Sequence, residues 1–207
     1  SKHFKGVLCG DGGDELFGGY LRHNFGVKLF ESKNKFFISG IMKILSNSKL
    51  KKILEKTNVV YLNEKLDRLS NSLSQKDIYN FYNSLTSHFH FNEMFANSNS
   101  YKNTKFDNLN DNHKLMMLYD LQNFLTNDLM VKSDRASMYS SLEVRSPFLS
   151  KKVFEYSAKL DSKLFFRNGY KSPIRELLNL YLPKKLIQNK KKGFSLPIKE
   201  ILKTDLK

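Results

Sequence analysis

The rhythm of apolar and polar positions changes once, close to the start of the chain. Gly6-Val7-Leu8-Cys9 is a short apolar run, the pattern of a buried strand, and after it the spacing is helical nearly throughout. From Val27 to Leu54 apolar residues recur at helical spacing with lysines between them. Breaks near Ser39-Gly40 and Ser46-Asn47-Ser48 divide this stretch into two or three helices. Lys76 to Phe95 is rich in aromatics and passes into a polar loop, Asn97-Ser98-Asn99-Ser100. Asp111 is placed to cap a long helix in which Leu115, Leu118, Leu121, Phe124, Leu125 and Leu129 form a stripe wide enough for burial on more than one side. This is the expected central core helix, and it ends in an abrupt switch to Lys132-Ser133-Asp134-Arg135. A proline pushes the residue before it out of the α region, so Ser146-Pro147 marks a further break. Helices follow around Val153 to Leu160 and Pro173 to Leu182, then a basic tail containing Gly193 and Pro197.

The pattern predicts a piece that is mainly α with one N-terminal buried strand. It lacks the regular alternation of strand and helix that builds a complete doubly wound domain. One strand makes no sheet, so its partners are expected upstream, and the chain reads as a fragment or truncation of a longer protein.

Composition narrows the function classes. The 207 residues, 40% of them hydrophobic, suffice for one substantial core or one domain plus part of another. Cys9 is the single cysteine, which excludes an internal disulfide framework and a multi-cysteine metal site and fits a reducing compartment, the cytoplasm by default. No apolar run approaches the roughly 20 residues that span a bilayer, and the first residues carry no signal-peptide pattern, so no membrane partner is expected. The formal net charge of +15 would favour nucleic acid if the basic residues formed a stripe with interleaved aromatics. They are scattered, with clusters at Lys49, Lys51 and Lys52 and at Lys184, Lys185, Lys190, Lys191 and Lys192. Solvated helix faces account for most of them, and a phosphate-facing role for the second cluster is the alternative. His88 and His90, at i and i+2, share no helix face and have no acidic or cysteine partners at ligand spacing, so no metal site is expected there.

The candidate chemistry lies just after the strand. Asp11-Gly12-Gly13-Asp14-Glu15 puts three carboxylates and two glycines at a strand's C-terminal end, where open α/β sheets bind ligands. Glycine allows close backbone approach, and carboxylates are hard oxygen ligands suited to Mg²⁺, so the favoured chemistry is metal-bound polyphosphate. The plainer reading is a strand-to-helix turn with Asp14 as N-cap and solvated acids. Against it, Gly18 and Gly19 fall where a helix is expected and would cost about 1 kcal/mol each relative to alanine. Downstream, Asp134-Arg135 and Glu143-Arg145 have the look of buried structural ion pairs. Ser172-Pro173 reads as N-cap and N1 of a helix whose N-terminus favours an anion, with Lys171 immediately before it.

Taken in order, four runs resemble the asparagine synthetase family: Gly10 to Tyr20 (GDGGDELFGGY), Lys132 to Met138 with Ser141 to Leu149, Tyr170 to Glu176, and Lys192 to Pro197. The second is the most specific, matching K-x-D-R-x-S-M and S-L-E-x-R-x-P-F-L almost residue for residue. Ser150 stands where the family usually has aspartate, a position expected to cap the next helix, and Asn189 or Lys190 where it often has arginine. The resemblance implies an α/β domain of the adenine nucleotide alpha hydrolase-like class. Residues 1–207 would be its C-terminal part, with the S-G-G-x-D-S pyrophosphate loop and a glutaminase domain absent from the chain. The implied activity is AMP-forming amide ligation, asparagine synthesis from aspartate through an acyl-adenylate with ammonia derived from glutamine. ATP and Mg²⁺ are the implied cofactors, and the fragment alone is expected to be inactive.

Residue by residue, the resemblance implies Asp14 as a metal ligand and Lys171 as the stabiliser of both transition states. Asp11 occupies the acid position near the acyl-adenylate, where the family commonly has the longer glutamate. Gly10, Gly12, Gly13, Lys132, Asp134, Arg175 and Lys192 are the implied nucleotide-binding set. Implied partners are aspartate or another small carboxylate and upstream residues of the same protein, with a homodimer left open. Alternatives that stay open are an amidotransferase acting on a sugar acid of a surface polysaccharide, a tRNA-modifying ATP pyrophosphatase, and an inactive interaction remnant.

Overall fold

Val7 and Leu8 form a strand, but it is neither buried nor without a partner in this chain. In the computed structural model, which describes residues 3–46, 62–87 and 109–187, β1 (Gly6–Leu8) pairs in parallel with β2 (Glu143–Arg145). The register sets Gly6 opposite Glu143, Val7 opposite Val144 and Leu8 opposite Arg145. Leu8 is 76% exposed. The expectation of a buried strand with all its partners upstream is thereby corrected: the Leu142-Glu143-Val144-Arg145 stretch carried no strand signal because three alternating residues are too few to show period-2 patterning.

The described residues are mostly helical. Two compact units divide the chain, Ser1–Ser172 and Pro173–Lys207. In the first, α1 (Gly13–Phe17), α2 (Leu21–Phe30), α3 (Lys35–Ser46), α4 (Leu62–Leu73) and α5 (Ile78–Thr86) follow β1. The predicted interruption at Ser39-Gly40 does not occur, and α3 runs through it. Ser39 is buried, donates its hydroxyl to Ser70 O at 2.8 Å and accepts at its own carbonyl from Ser70 Oγ at 2.9 Å, so the small polar residues pin α3 to α4 rather than ending a helix. The actual break between α2 and α3 falls at 31–34.

The long helix starting after Asp111 is present, and Asp111 caps it by accepting from the backbone N–H groups of His113 and Lys114. It has three parts without interruption: α6 (Asn112–Tyr119), a π-helical segment (Asp120–Leu129) and α7 (Met130–Tyr139). Of the expected leucine stripe only Leu125 is fully buried; Met116, Met117 and Asp120 take the other inward positions. The π segment, in which hydrogen bonds span one residue more per turn, resets which face points inward. Lys132 to Arg135 therefore lie within α7 and do not end the helix.

Beyond β2, a 3₁₀ turn (Pro147–Leu149) leads to α8 (Lys151–Lys159) and α9 (Lys163–Phe166). Ser150 is the N-cap residue of α8, but its hydroxyl makes no capping bond. Among the described residues, the core of the first unit includes two patches. Val27, Leu73, Ile78, Phe81, Tyr82 and Met116 form one. In the other, the buried rings of Phe17 and Phe165 meet edge to face with centroids 6.0 Å apart, and Phe148 adds a second edge contact to Phe17 at 6.2 Å. α10 (Ser172–Leu178) starts at the boundary between the units, and the second unit also contains a 3₁₀ turn, Lys184–Leu186. The region of His88 and His90, the Lys49–Lys52 cluster, Lys190 to Lys192 and the Lys192–Pro197 motif lie outside the described residues.

Candidate functional site

The loop after β1 is built by its glycines and by the segment that follows β2. Gly12 is the N-cap of α1 at φ +85°, a left-handed backbone that suits glycine, so the reading of Asp14 as N-cap is corrected: Asp14 lies inside the first turn of α1. Gly18 closes α1 as its C-cap and is not inside a helix. A Cβ on Gly12 would meet Leu149 Cδ2 at 2.3 Å, and one on Gly13 would meet the Phe148 ring at 3.3 Å. These two glycines thus receive the Pro147–Leu149 turn, whereas Gly10 faces open space, the arrangement that leaves its backbone accessible to a ligand. Ser146 donates its hydroxyl to the Asp11 carbonyl, and Cys9 N donates to Arg145 O at 2.9 Å. Two sequence-distant motifs are thereby tied together at one edge of the β1–β2 ladder.

The three carboxylates of the loop diverge. Asp11 accepts at Oδ2 from the Cys9 thiol at 3.3 Å. Glu15 is buried and accepts from the Tyr20 hydroxyl at 2.5 Å, so it does not face the sheet edge as a third hard ligand. Burial, then this bond to Glu15, holds the Tyr20 phenol protonated far above its ordinary range. Asp14 is met by Lys171, with Nζ 2.7 Å from Oδ1. Lys171 comes from 157 positions downstream, on a backbone with φ +57°. The bend before it is closed by Ser172, whose hydroxyl donates to Gly169 O at 2.9 Å and accepts from Asn168 N at 2.8 Å. The expectation that Ser172 caps α10 is corrected accordingly: it is the first helical residue, and its hydroxyl serves the preceding turn.

Gly19 explains the closeness of Asp14 and Lys171. A Cβ there would stand 1.7 Å from Asp14 Oδ1 and 2.3 Å from Lys171 Cε. The sequence signal for this position was the unexplained pair of glycines after Phe17; that it makes room for two charged side chains was not legible.

Behind the loop, α2 carries a polar cluster the sequence did not announce. Asp120 Oδ2, fully buried, receives Arg22 Nη2 at 3.0 Å, the Tyr82 hydroxyl at 2.6 Å and His23 Nε2 at 2.7 Å. The Arg22 guanidinium also stacks 4.0 Å from the centre of the Tyr20 ring, so the cluster reaches the residue that holds Glu15. Burial, opposed by the bond to Asp120, pushes His23 below its ordinary value and disfavours its charged form.

The remaining sequence candidates are placed separately. Lys132 is exposed on α7 and pairs with Asp128 at 2.9 Å, and Asp134 and Arg135 are exposed on the same helix. Glu143 and Arg145 form a pair at 2.9 Å that is exposed, which corrects the expectation of a buried one; β2 turns both side chains to solvent. Arg175 lies on α10. Among the described residues no group of three or more His, Cys, Asp or Glu side chains comes together, and no helix is long and apolar enough to cross a membrane.

The asparagine synthase family model matches residues 1–207. The chain is similar to asparagine synthetase [glutamine-hydrolyzing] 1 of Bacillus subtilis (strain 168), 29% identical over 215 residues, covering 99% of this chain and 33% of that protein. It is also similar to a putative asparagine synthetase [glutamine-hydrolyzing] of Mycobacterium tuberculosis, 27% identical over 212 residues, covering 98% of this chain and 31% of that one. The chain thus spans about a third of the length of these curated relatives. No solved structure matches significantly.

Proposed function

Because the chain belongs to the asparagine synthase family, we propose that it supplies the C-terminal part of an ATP-dependent amide-forming domain of the adenine nucleotide alpha hydrolase-like class, converting aspartate to asparagine with ammonia taken from glutamine. The observation that carries this reading is the Asp14–Lys171 pair, an acid and an ammonium from distant motifs brought to 2.7 Å in a notch that exists because residue 19 has no side chain.

A divalent cation fits here. Mg²⁺ is commonly held by one or two carboxylates together with substrate phosphates, and Asp14 offers a hard oxygen seated in the space a Cβ of Gly19 would fill. When bound, the ion offsets the negative charge of the polyphosphate and of the departing pyrophosphate. The chain's own residues do the rest. Lys171 offers an ammonium to the oxygens that gain charge when the substrate carboxylate attacks the α-phosphate of ATP, and again when ammonia attacks the acyl-adenylate and AMP leaves. Asp11, whose backbone is fixed by Ser146, supplies a carboxylate able to take a proton from the attacking ammonia. The open backbone at Gly10 and the basic residues Lys132, Arg175 and Lys192 are the proposed contacts to nucleotide and pyrophosphate.

The test is exchange of labelled pyrophosphate into ATP by the complete protein that carries this chain, run with aspartate and with a sugar acid. Aspartate-dependent exchange that Asp14→Asn abolishes is the expected result. Exchange only with the sugar acid would move the acceptor, and absence of exchange with every carboxylate would refute the ligase reading.

A further inference from the structure

The cation seated on the Asp14 carboxylate is the Lys171 ammonium, with Nζ 2.7 Å from Oδ1. Asp14 Oδ1 is shut off from solvent, with Gly19 packed on one side and the Lys171 arm on another. The backbone of Lys171 is held in its left-handed conformation by a bend that Ser172 closes with two hydrogen bonds, and Ser172 itself is buried. An outlier of this kind persists where its surroundings impose it. The position of the Lys171 Cα is therefore set by the fold, and the movable part is its four-carbon arm.

We infer that Lys171 is the placeholder for the divalent cation on Asp14: ammonium and metal exchange at the same carboxylate oxygen, and loading the metal releases Lys171. The inference rests on the reading of Asp14 as a metal ligand and adds the order of events. Two cations on one oxygen repel, and a polyphosphate arriving with the metal is the nearest alternative counter-charge for a displaced, strongly hydrated ammonium on a flexible stem. The exchange would couple the two halves of the chemistry. The lysine becomes free for a phosphoryl oxygen only when the metal is in place, and the unloaded loop stays neutralised and ordered.

The experiment follows the Lys171 ammonium directly, by NMR of protein labelled with ¹⁵N at lysine Nζ, the signal being assigned by its loss in Lys171→Met. Mg²⁺ alone is the probe, with binding measured in parallel by calorimetry on wild type, Lys171→Met and Asp14→Asn. In wild type without metal, the paired, half-buried ammonium should give a signal protected from exchange with water. Saturating Mg²⁺ should abolish that protection, and Lys171→Met should bind Mg²⁺ about tenfold more tightly. If Mg²⁺ binds in an Asp14-dependent way while the ammonium signal stays protected, the metal sits on the other oxygen and the exchange is refuted. If Asp14→Asn binds Mg²⁺ as well as wild type does, the metal-ligand reading itself fails, and the inference with it.

Discussion

Gly19 and Asp14 are packed so closely that any side chain at position 19 must displace its neighbours: a Cβ there would lie 1.7 Å from Asp14 Oδ1. The atoms in the way are ends of side chains, Asp14 Oδ1 and Lys171 Cε, so Gly19→Ala should separate the charged pair without unfolding the loop. Pyrophosphate exchange should fall by about 10² or more, the scale of losing one preorganised electrostatic group. The urea midpoint should move little. An active Gly19→Ala protein would show that the pair is incidental.

Asp120 is the hub of the buried cluster beneath the loop, so Asp120→Ala should be among the more damaging substitutions. It leaves Arg22, His23 and Tyr82 facing an emptied site, and removing one partner of a buried charged network costs about 3–5 kcal/mol. Equilibrium urea unfolding measures this. A loss under 1 kcal/mol would mean that water takes over the role of the carboxylate.

His23 gives the fold a pH dependence with a defined sign. Its folded value lies below the ordinary 6.5, because burial disfavours the imidazolium more than Asp120 favours it. As pH falls the unfolded chain takes up the proton first, so this contribution is complete above about 6.5 and declines as pH drops from there towards the folded value. Unfolding free energies at pH 7.5 and 5.5 should differ more in wild type than in His23→Gln. Equal differences in the two proteins would exclude His23 as a source.

Phe165 is fully buried against Phe17, under the helix that carries Asp14. Phe165→Ala should cost about 3–5 kcal/mol and loosen α1. Thermal unfolding reads the first effect, and faster hydrogen exchange at the amides of α1 reads the second.

Much of this was legible in the sequence because it depends on short-range chemistry. A compact apolar run became β1, Asp111 became a cap, Ser146-Pro147 became a break, and the ordered runs marked the family to which the whole chain belongs. The misreadings arise where a local signal has two tertiary outcomes. Ser39-Gly40 can end a helix or let a second one approach, and the reciprocal bonds with Ser70 chose the latter. Three acids in one loop can share a ligand or part company, and the fold sent Glu15 inward to Tyr20.

By itself the sequence determined which residues are chemically equipped: a carboxylate at position 14, an ammonium at 171, glycines between and around them. It could not determine that they meet. The distance between them is set by the pairing of β1 with β2, by the Pro147–Leu149 turn filling the space over Gly12 and Gly13, and by the bend that Ser172 closes before α10. Each of these is a contact between segments far apart in the chain. Hydrophobic spacing and capping rules report on neighbours within a few residues, whereas a charged pair 157 positions apart is decided by the packing that remains once every element has found its place.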